Sequence, residues 1–456
     1  MGAAEPGAVP SRAESSLPLA PGGYAWFVLL MLTLTNVLSF MDRYLINILA
    51  QPIKDDLGIS DAQIGLLIGF VTSISYSLVG LPLAWLSERS NRVTIIAGSL
   101  LAWSAMTAVS GRAANFVQLV LFRAGVGVGE AGAMPASHSL ITDYFPPTRR
   151  GVALAIFTVA IPIGALIGSM AGGWIVDHMG WRDAFLYLGL PGIPVTLLFA
   201  LSVRDVPRGR YDAGLPDAPR PRLIDVAAHL CRDPVARHVT LAYTGTTMIT
   251  LAASTFYAPF LARKFAISYT AIGLVLSATM LGGGIAGNLM GGWLTDLLGR
   301  RDRRWAMWVP AIGVTLSMPF YFATYLQPTV LSTALVLLFP AIVVTVYTPP
   351  SFAVLHARTD PRARPTMVAL VQLFSGMIGG GLGPFLGGWA IDRLSEHFYP
   401  GAFATACAGA AGVALSRGCA DALLAGTTTM LLASAPLLAW PVAHYLLAAR
   451  VAGAGR

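Results

Sequence analysis

The sequence predicts an all-α membrane protein with twelve transmembrane helices, arranged as two pseudo-symmetric six-helix bundles. Three observations lead to this prediction. The chain of 456 residues is 55% hydrophobic and only 11% charged, whereas soluble domains carry about 25% charged residues. Apolar blocks of about 20 residues or more, long enough to cross a bilayer, recur along the chain. A short motif of tryptophan, two residues and an acid also returns once in every three blocks.

Turn signals between the apolar blocks divide the chain into four regions. Residues 1–23 lack the basic start and apolar core of a signal peptide and are predicted to form a disordered cytoplasmic tail. Residues 24–202 form the N-terminal bundle, the polar and Pro-rich residues 203–236 a cytoplasmic linker, and residues 237–450 the C-terminal bundle. We place the helices near residues 24–50, 61–87, 93–111, 115–143, 150–176, 183–202, 237–263, 269–297, 305–325, 329–357, 364–392 and 420–448.

Basic residues predict the orientation of these helices. Arginines concentrate after the second, fourth, sixth, eighth and tenth helices, which places those loops and both termini in the cytoplasm. The alternate loops hold Lys54, Arg112, Arg182, Arg263, Lys264, Arg393 and Arg417. The arginine-rich, lysine-poor composition favours a bacterial inner membrane. Although the net charge is +8, no stretch interleaves aromatic and basic residues, so we expect no nucleic-acid partner.

The recurring motif predicts an internal duplication. Its four copies end the second, fifth, eighth and eleventh helices, at Trp85/Glu88, Trp174/Asp177, Trp293/Asp296 and Trp389/Asp392. Because three is an odd number, successive copies end on opposite faces of the membrane, as in inverted three-helix repeats. The alternative interpretation is a packing and interface-anchor pattern without duplication.

Beyond its tail, the chain resembles a transporter of the major facilitator superfamily over nearly its whole length. The family's loop motif of an acid followed by basic residues stands here as "SERSNR" after the second helix and as "TDLLGRR" after the eighth. Glu88 replaces the usual aspartate and Asn91 the usual glycine. Acids and arginines at cytoplasmic helix ends can pair between neighbouring helices and between the halves, and the resemblance implies that such pairs close a cytoplasmic gate. The gate candidates are Glu88, Arg89, Arg92, Asp296, Arg300 and Arg301; the alternative is that they only anchor the helix ends.

Four charged residues lie deep within apolar helices, where a charge costs about 2.5 kcal/mol or more. Asp42 and Arg43 are in the first helix, and Arg123 and Glu130 are in the fourth. Arg123 and Glu130 are about 20° apart around their helix, with an open glycine surface expected at Gly127 between them. We expect Asp42 to pair with Arg123, and Arg43 to pair with Glu130 or a substrate anion. The alternative is an ion-pair network that only locks the two helices together.

The second half offers hydroxyl groups instead of charges, at Thr244, Thr247, Tyr257 and Tyr347. A cavity with one charged wall and one apolar, hydroxyl-bearing wall suits an amphipathic substrate better than a sugar. A carboxylate buried there, Asp42 or Glu130, is expected to bind a proton and couple transport to protons.

The Asp-Arg pair of the first helix, together with R-x-x-x-G-x-G-E-A in the fourth, resembles the Spinster family in particular. The matching positions are Asp42, Arg43, Arg123, Gly127, Gly129, Glu130 and Ala131. The resemblance implies export of lysolipid or sphingosine-phosphate-like molecules, linked to protons. The alternative is a proton-driven drug or organic-anion exporter of the same superfamily. We expect a monomer whose other partners are membrane lipids.

Other chemistries lack support in the sequence. No P-loop motif for ATP occurs, and the seven histidines show no metal-ligand spacing, so we expect no cofactor and no metal. No nucleophile, base and orienting group share one depth, so we expect no enzyme activity; a transporter-like sensor stays an alternative. Cys407 and Cys419 lie in the predicted external segment between the last two helices, where both a disulfide and free thiols are open interpretations.

Overall fold

The computed structural model describes residues 22–211, 222–360, 363–399, 403, 407 and 416–454. The side chains at positions 81, 84, 85, 88 and 365 lie outside that set. The predicted disordered tail falls outside the described residues except for its last two positions, where the first helix begins. Glu88 and Trp85 of the first motif copy are therefore described in their backbone alone.

The described residues fold almost entirely into helices, which we number α1–α12 by membrane crossing. The N-terminal bundle comprises α1 (Gly23–Leu57), α2 (Asp61–Gly65, Leu66–Val71 and Thr72–Arg89), α3 (Arg92–Ser110), α4 (Phe116–Glu130 and Ala133–Tyr144), α5 (Pro147–Thr158 and Ala160–Met179) and α6 (Trp181–Gly189 and Gly192–Ser202). The C-terminal bundle comprises α7 (Pro234–Thr255 and Tyr257–Phe265), α8 (Tyr269–Leu281, Gly282–Gly287 and Asn288–Gly299), α9 (Trp305–Tyr325), α10 (Val330–Thr345 and Thr348–Arg358), α11 (Arg364–Phe374, Ser375–Leu382 and Gly383–Phe398) and α12 (Arg417–Leu437 and Ala439–Ala454). A short linker helix, Leu223–Arg232, precedes α7.

Within the described residues, eleven helices are long and apolar enough to cross a membrane. The remaining crossing, α7, is rich in threonine. Its hydroxyls donate to carbonyl oxygens one turn earlier, as from Thr246 to Ala242 and from Thr250 to Thr246, both at 2.8 Å. These bonds satisfy the polar groups inside the helix, so α7 is compatible with an apolar environment. The predicted all-α, twelve-helix architecture is confirmed.

The four helices that carry the repeated motif are each irregular near their middle. Leu66–Val71 in α2, Gly282–Gly287 in α8 and Ser375–Leu382 in α11 are wider π-helical turns. In α5 the regular helix is interrupted at Val159. Wide turns of this kind often mark functional positions in helices; those of α2 and α11 pack on each other across the bundles, whereas that of α8 packs on α10 of its own bundle.

The bundles are joined by two equivalent helix pairs, α2 on α11 and α5 on α8. Glycines allow the backbones to touch. A Cβ atom at Gly65 would lie 2.1 Å from the carbonyl oxygen of Pro384, and one at Gly173 would lie 2.3 Å from that of Tyr269. A larger residue would clash at either position, so both joins depend on small residues.

Two motif acids complete these joins by capping helices of the other bundle. Asp392, near the end of α11, accepts hydrogen bonds of 3.0 and 2.9 Å from the first two backbone N–H groups of α2. Asp177, near the end of α5, accepts two bonds of 2.8 Å from the first two N–H groups of α8. A carboxylate stabilises the N-terminus of a helix through its unpaired N–H groups and its dipole. The matching contacts support the pseudo-symmetric arrangement.

The joins lie at the face opposite to the chain ends. The Tyr24 hydroxyl at the start of α1 donates to the carbonyl oxygen of Ser202 at the end of α6, at 2.8 Å; we call this side the terminal face and the other the far face. The terminal-face segments of α5 and α8, Pro147–Thr158 and Asn288–Gly299, pack on helices of their own bundles. The cleft between the bundles is therefore closed at the far face and opens toward the terminal face.

Cys407 and Cys419 form a disulfide. Cys419 lies in the first turn of α12, next to the end of α11, so the bridge is at the far face. The open choice between a disulfide and free thiols is thus resolved in favour of the disulfide.

Candidate substrate and coupling site

Asp42 and Arg123 form an ion pair between α1 and α4 in which both residues are buried. The Nη1 and Nη2 atoms of Arg123 donate to the two carboxylate oxygens of Asp42 at 2.9 and 2.8 Å. The Thr107 hydroxyl adds a third bond to Asp42 at 2.8 Å, and the Arg123 guanidinium lies 5.7 Å from the ring centre of Phe185. Both charged residues are buried. A two-pronged, buried pair of this kind holds helices in one register.

Arg43 and Glu130 form a second pair with a different environment. The Nε and Nη2 atoms of Arg43 contact Oε2 of Glu130 at 2.9 and 2.7 Å, and the Ser39 hydroxyl donates to Oε1 at 2.9 Å. The Arg43 side chain is 38% exposed, whereas that of Glu130 is 1% exposed. Of the four charged residues Asp42, Arg43, Arg123 and Glu130, Arg43 is therefore the one that is accessible.

Helix geometry explains why the neighbouring residues Asp42 and Arg43 have different partners. Successive residues of an α-helix diverge by about 100°. Asp42 therefore points toward α3 and α4 inside the N-terminal bundle, while Arg43 lies at the accessible edge of α1. The structure contains both pairs that the spacing predicts. The open surface predicted at Gly127 is wrong, because a Cβ atom there would lie 2.9 Å from the Thr72 carbonyl oxygen; the glycine instead lets α2 approach.

A small pocket borders the Arg43–Glu130 pair. Its polar lining includes Ser39 and Asn36 besides the ion pair, and its apolar lining includes Phe40, Trp103, Met134 and Phe157. The Arg43 guanidinium lies 5.6 Å from the ring centre of Phe40 and 5.3 Å from that of Tyr76. The pocket is amphipathic, with a charged end at the Arg43–Glu130 pair and an apolar wall.

Sequence reasoning missed several residues of this site. Ser39 stands one turn before Arg43 on α1, so helical spacing could have indicated it. Tyr76, Trp103 and Thr107 come from α2 and α3, where a single aromatic or hydroxyl residue in an apolar helix carries no distinct signal. Their approach to the charges depends on how the helices pack.

Three of the four hydroxyl groups predicted for the second half are hydrogen-bonded to other hydroxyl groups. The Thr247 hydroxyl and the Tyr347 phenol are 2.9 Å apart, and the Tyr325 phenol donates to that of Tyr257 at 3.1 Å. Thr244, Tyr257 and Tyr347 are buried. Tyr257 and Tyr347 are therefore part of a packed, uncharged core.

Arg92, one of the gate candidates, is fully buried inside the N-terminal bundle. Its Nε donates to Oδ1 of Asp205 at 2.9 Å, and its Nη1 contacts the carboxylate of Asp143. Asp205 follows α6, so the arginine ties the start of the linker to α3 and α4. Burial alone would raise the pKa of Asp205, but hydrogen bonds from Arg92 and its charge outweigh burial and hold that pKa below its usual value.

The other gate candidates lie at the terminal-face ends of α2 and α8. Arg89, Asp296, Arg300 and Arg301 are exposed, and the Glu88 side chain is outside the described residues. Because the cleft is open on this side, a pairing of these charges across the bundles stays a prediction.

Two helical bundles around a cleft with buried charges define a membrane transporter rather than a soluble receptor or a channel-like barrel. The family model described as Major Facilitator Superfamily matches residues 32–261 and 239–420. The chain belongs to this superfamily.

Individual relatives confirm the resemblance and refine it. An MFS-type efflux pump of Mycolicibacterium smegmatis is 33% identical over 384 residues, which cover 82% of this chain and 86% of the relative. Protein spinster homolog 1 of Rattus norvegicus is 27% identical over 402 residues, 83% of this chain and 75% of the relative. The crystal structure of a bacterial homolog to the human lysosomal transporter Spinster, inward-facing and unoccupied, matches with a TM-score of 0.82 at 29% identity, covering 94% of this chain and 98% of that one. The chain is thus a transporter related to both Spinster proteins and efflux pumps.

Proposed function

We propose that this protein is a secondary active transporter that moves an amphipathic substrate with an anionic head, such as a lysolipid or a sphingosine-phosphate-like molecule, by alternating access and with proton coupling. It works as a monomer in the bacterial inner membrane, and it is a carrier and not an enzyme. The observation that carries the proposal is the Arg43–Glu130 pair, in which an accessible arginine is held by a buried carboxylate beside an amphipathic cavity.

The pair supports a simple exchange. A substrate anion that reaches Arg43 replaces Glu130 as the partner of the guanidinium. Glu130 is then buried without a counter-charge, which is unfavourable unless the carboxylate binds a proton. Anion and proton therefore bind together at this site. The apolar wall formed by Phe40, Trp103 and Phe157 accommodates the tail of the substrate.

The comparisons with relatives suggest two classes of substrate. The charged motif of α1 and α4 resembles the Spinster family, to which the chain is also similar in sequence and structure, and this favours a lipid-like molecule. The efflux pump of Mycolicibacterium smegmatis favours a second candidate function, a proton-driven drug or organic-anion exporter. Both candidates use the same arginine, so the identity of the tail distinguishes them.

The orientation follows from charge and from the disulfide. Arginine-rich loops lie at the terminal face, which by the positive-inside rule is cytoplasmic. The Cys407–Cys419 bridge lies at the far face, and disulfides persist in the oxidising bacterial periplasm. Both observations support cytoplasmic termini and a cleft open to the cytoplasm.

The symmetric caps suggest how the cytoplasmic gate closes. At the far face, Asp392 of α11 caps α2, and Asp177 of α5 caps α8. In the inverted relation, Glu88 at the end of α2 caps α11, and Asp296 at the end of α8 caps α5 when the bundles close on the cytoplasmic side. Arg89, Arg300 and Arg301 flank these acids, while Arg92 supports the gate from within its bundle.

Flux measurements in proteoliposomes test the proposal. We expect uptake of a lysophospholipid to respond to an imposed pH gradient, with little response to small cationic drugs. Glu130→Gln should abolish the response to pH, and Asp56→Asn, which alters a partly exposed surface pair with Arg182, should not. Binding without flux would indicate a sensor, and chemical conversion of the lipid would indicate an enzyme. Drug flux without lipid flux would favour the second candidate.

A further inference from the structure

A second buried group of charges closes the far face. The carboxylate of Asp61 pairs with the ammonium of Lys54 and, at 2.5 Å, with Nη2 of Arg263. Arg263 also donates to Oε1 of Gln51 at 2.9 Å and to the Thr427 hydroxyl at 2.6 Å. The exposed fractions of the Asp61 and Arg263 side chains are 1% and 6%. We call these five residues the far-face cluster.

The far-face cluster includes residues of both bundles, but only one of its two cations, Arg263, forms an ion pair with the other bundle. Lys54 and Gln51 are on α1 and Asp61 is on α2, whereas Arg263 is on α7 and Thr427 on α12. The Lys54–Asp61 pair therefore lies within the N-terminal bundle. The Arg263 guanidinium leaves its own bundle to contact Gln51 and Asp61 of the other. In a site shielded from water, such a contact is strong because solvent does not screen it.

The second join between the bundles has a different chemistry. At the α5–α8 contact Asp177 caps α8, but the first residue of α8 is Tyr269 where α2 has the acid Asp61. The hydrogen bonds of Asp177 to α8 are also solvent-exposed. The ionic contact thus strengthens one of the two joins, that of α1 and α2 with α7, α11 and α12.

From this geometry we infer that Arg263 is the gate residue of the far face, holding the bundles together until the transporter opens on that side. The inference rests on the proposed alternating access and adds a residue outside the substrate site. The two cations of the cluster differ in what they hold together. Without Arg263, Asp61 keeps Lys54 as a partner and the N-terminal bundle stays satisfied, but the ionic contact between the bundles is lost. Without Lys54, the Arg263–Asp61 pair persists and the face stays closed.

Helix α1 connects this gate to the substrate site. It is continuous over Gly23–Leu57 and carries Arg43 and Lys54 on one stripe, about 16 Å apart along the axis. Asn47 lies between them on the same stripe, and its buried Oδ1 has no hydrogen-bond partner among the described residues. The same helix therefore carries both the arginine of the substrate site and the residues that face Arg263.

Distances between spin labels test the inference. Labels at Ala114→Cys and Pro328→Cys would report the far-face separation, because these exposed positions lie in the α3–α4 and α9–α10 loops of the two bundles. The exposed thiol Cys231 is first replaced by serine. We expect Arg263→Gln to raise the ratio of long to short distances about 10-fold, whereas Lys54→Gln, the matched control, keeps the wild-type distribution. An unchanged distribution in Arg263→Gln, or an equal shift in Lys54→Gln, would overturn the inference.

A conservative variant guards against misfolding. Arg263→Lys keeps a cation near Asp61 but cannot reach Gln51 and Thr427 together, so it should give an intermediate ratio in monodisperse protein. If Arg263→Lys matched wild type, the multiple contacts of the guanidinium would be irrelevant and the inference would fail. Flux is measured on the same preparations. If the wild-type protein transports the lipid but the distances in the arginine variants are unshifted, only the gate is contradicted. If the wild-type protein shows no flux, the proposed function is contradicted.

Discussion

The Nη2 atom of Arg43 lies 2.7 Å from Oε2 of Glu130, and the two side chains differ sharply in exposure, 38% for the arginine against 1% for the glutamate. The neighbouring pair of Asp42 and Arg123 is buried on both sides. One helix turn of α1 thus carries a pair that is buried on both sides and a pair with one exposed member. We propose that the first pair is structural and that the second exchanges its partner during transport.

Replacing Glu130 by glutamine should separate anion binding from proton coupling. The amide resembles the protonated acid in shape and leaves Arg43 free for a substrate anion. We expect the Kd for a lysophosphatidic acid probe to stay equal or fall, and acceleration of flux by a pH gradient to be lost. Calorimetry measures the first quantity and proteoliposome uptake the second. A variant that keeps a wild-type response to pH would show that another group carries the proton.

Replacing Arg43 by glutamine should weaken binding of the anionic head. Hydrogen bonds to charged groups contribute about 1.5–3 kcal/mol, so we expect Kd to rise about 10- to 100-fold. A neutral lipid of the same tail length serves as the control ligand and should bind as it does to wild type. An equal loss of affinity for both lipids would indicate a damaged cavity instead of a lost charge contact.

Removing one member of the buried Asp42–Arg123 pair should destabilise the N-terminal bundle. Asp42→Asn leaves the Arg123 guanidinium, 1% exposed, without its carboxylate. Breaking a buried ion pair costs about 3–5 kcal/mol, so the midpoint of thermal unfolding in detergent should fall. The double variant Asp42→Asn/Arg123→Gln removes the unpaired charge and should recover part of the loss. No recovery would mean that Asp42 acts mainly through Thr107 or through packing.

The contact of Asp205 with Arg92 should make stability depend on acid pH. The pKa of Asp205 lies below its ordinary value, so the folded state favours the ionised carboxylate. Its contribution is fully present above the unfolded-state pKa of about 3.9 and is lost as pH falls through the lower folded-state value. The difference in unfolding midpoint between wild type and Asp205→Asn should therefore shrink as pH falls from neutral toward 3. A constant difference over that range would contradict this role for the carboxylate.

The sequence could predict what depends on local spacing. Charges in apolar helices stand out, and helical geometry correctly predicted that Asp42 meets Arg123 and that Arg43 meets Glu130. The repeated motif likewise predicted inverted three-helix repeats, and the equivalent caps formed by Asp177 and Asp392 agree with that prediction.

Other features depend on contacts between distant parts of the chain. Lys54, Asp61 and Arg263 each stand at a helix end, where a charge reads as an interface anchor, and only the folded arrangement brings them together. Arg92 matches a gating motif in the sequence, yet it is buried against Asp205 of the linker. Gly127 was predicted to be open because nothing in its own helix indicates the approach of α2.

Proton uptake on substrate binding tests the central claim most directly, since the claim is that Arg43 exchanges Glu130 for the substrate anion. A lysophosphatidic acid probe is added to purified protein in weakly buffered detergent solution near neutral pH, with a pH indicator, and the bound probe is counted in parallel. We predict uptake of about one proton per bound anion in wild type and none in Glu130→Gln. Equal proton uptake in the two proteins would contradict the account.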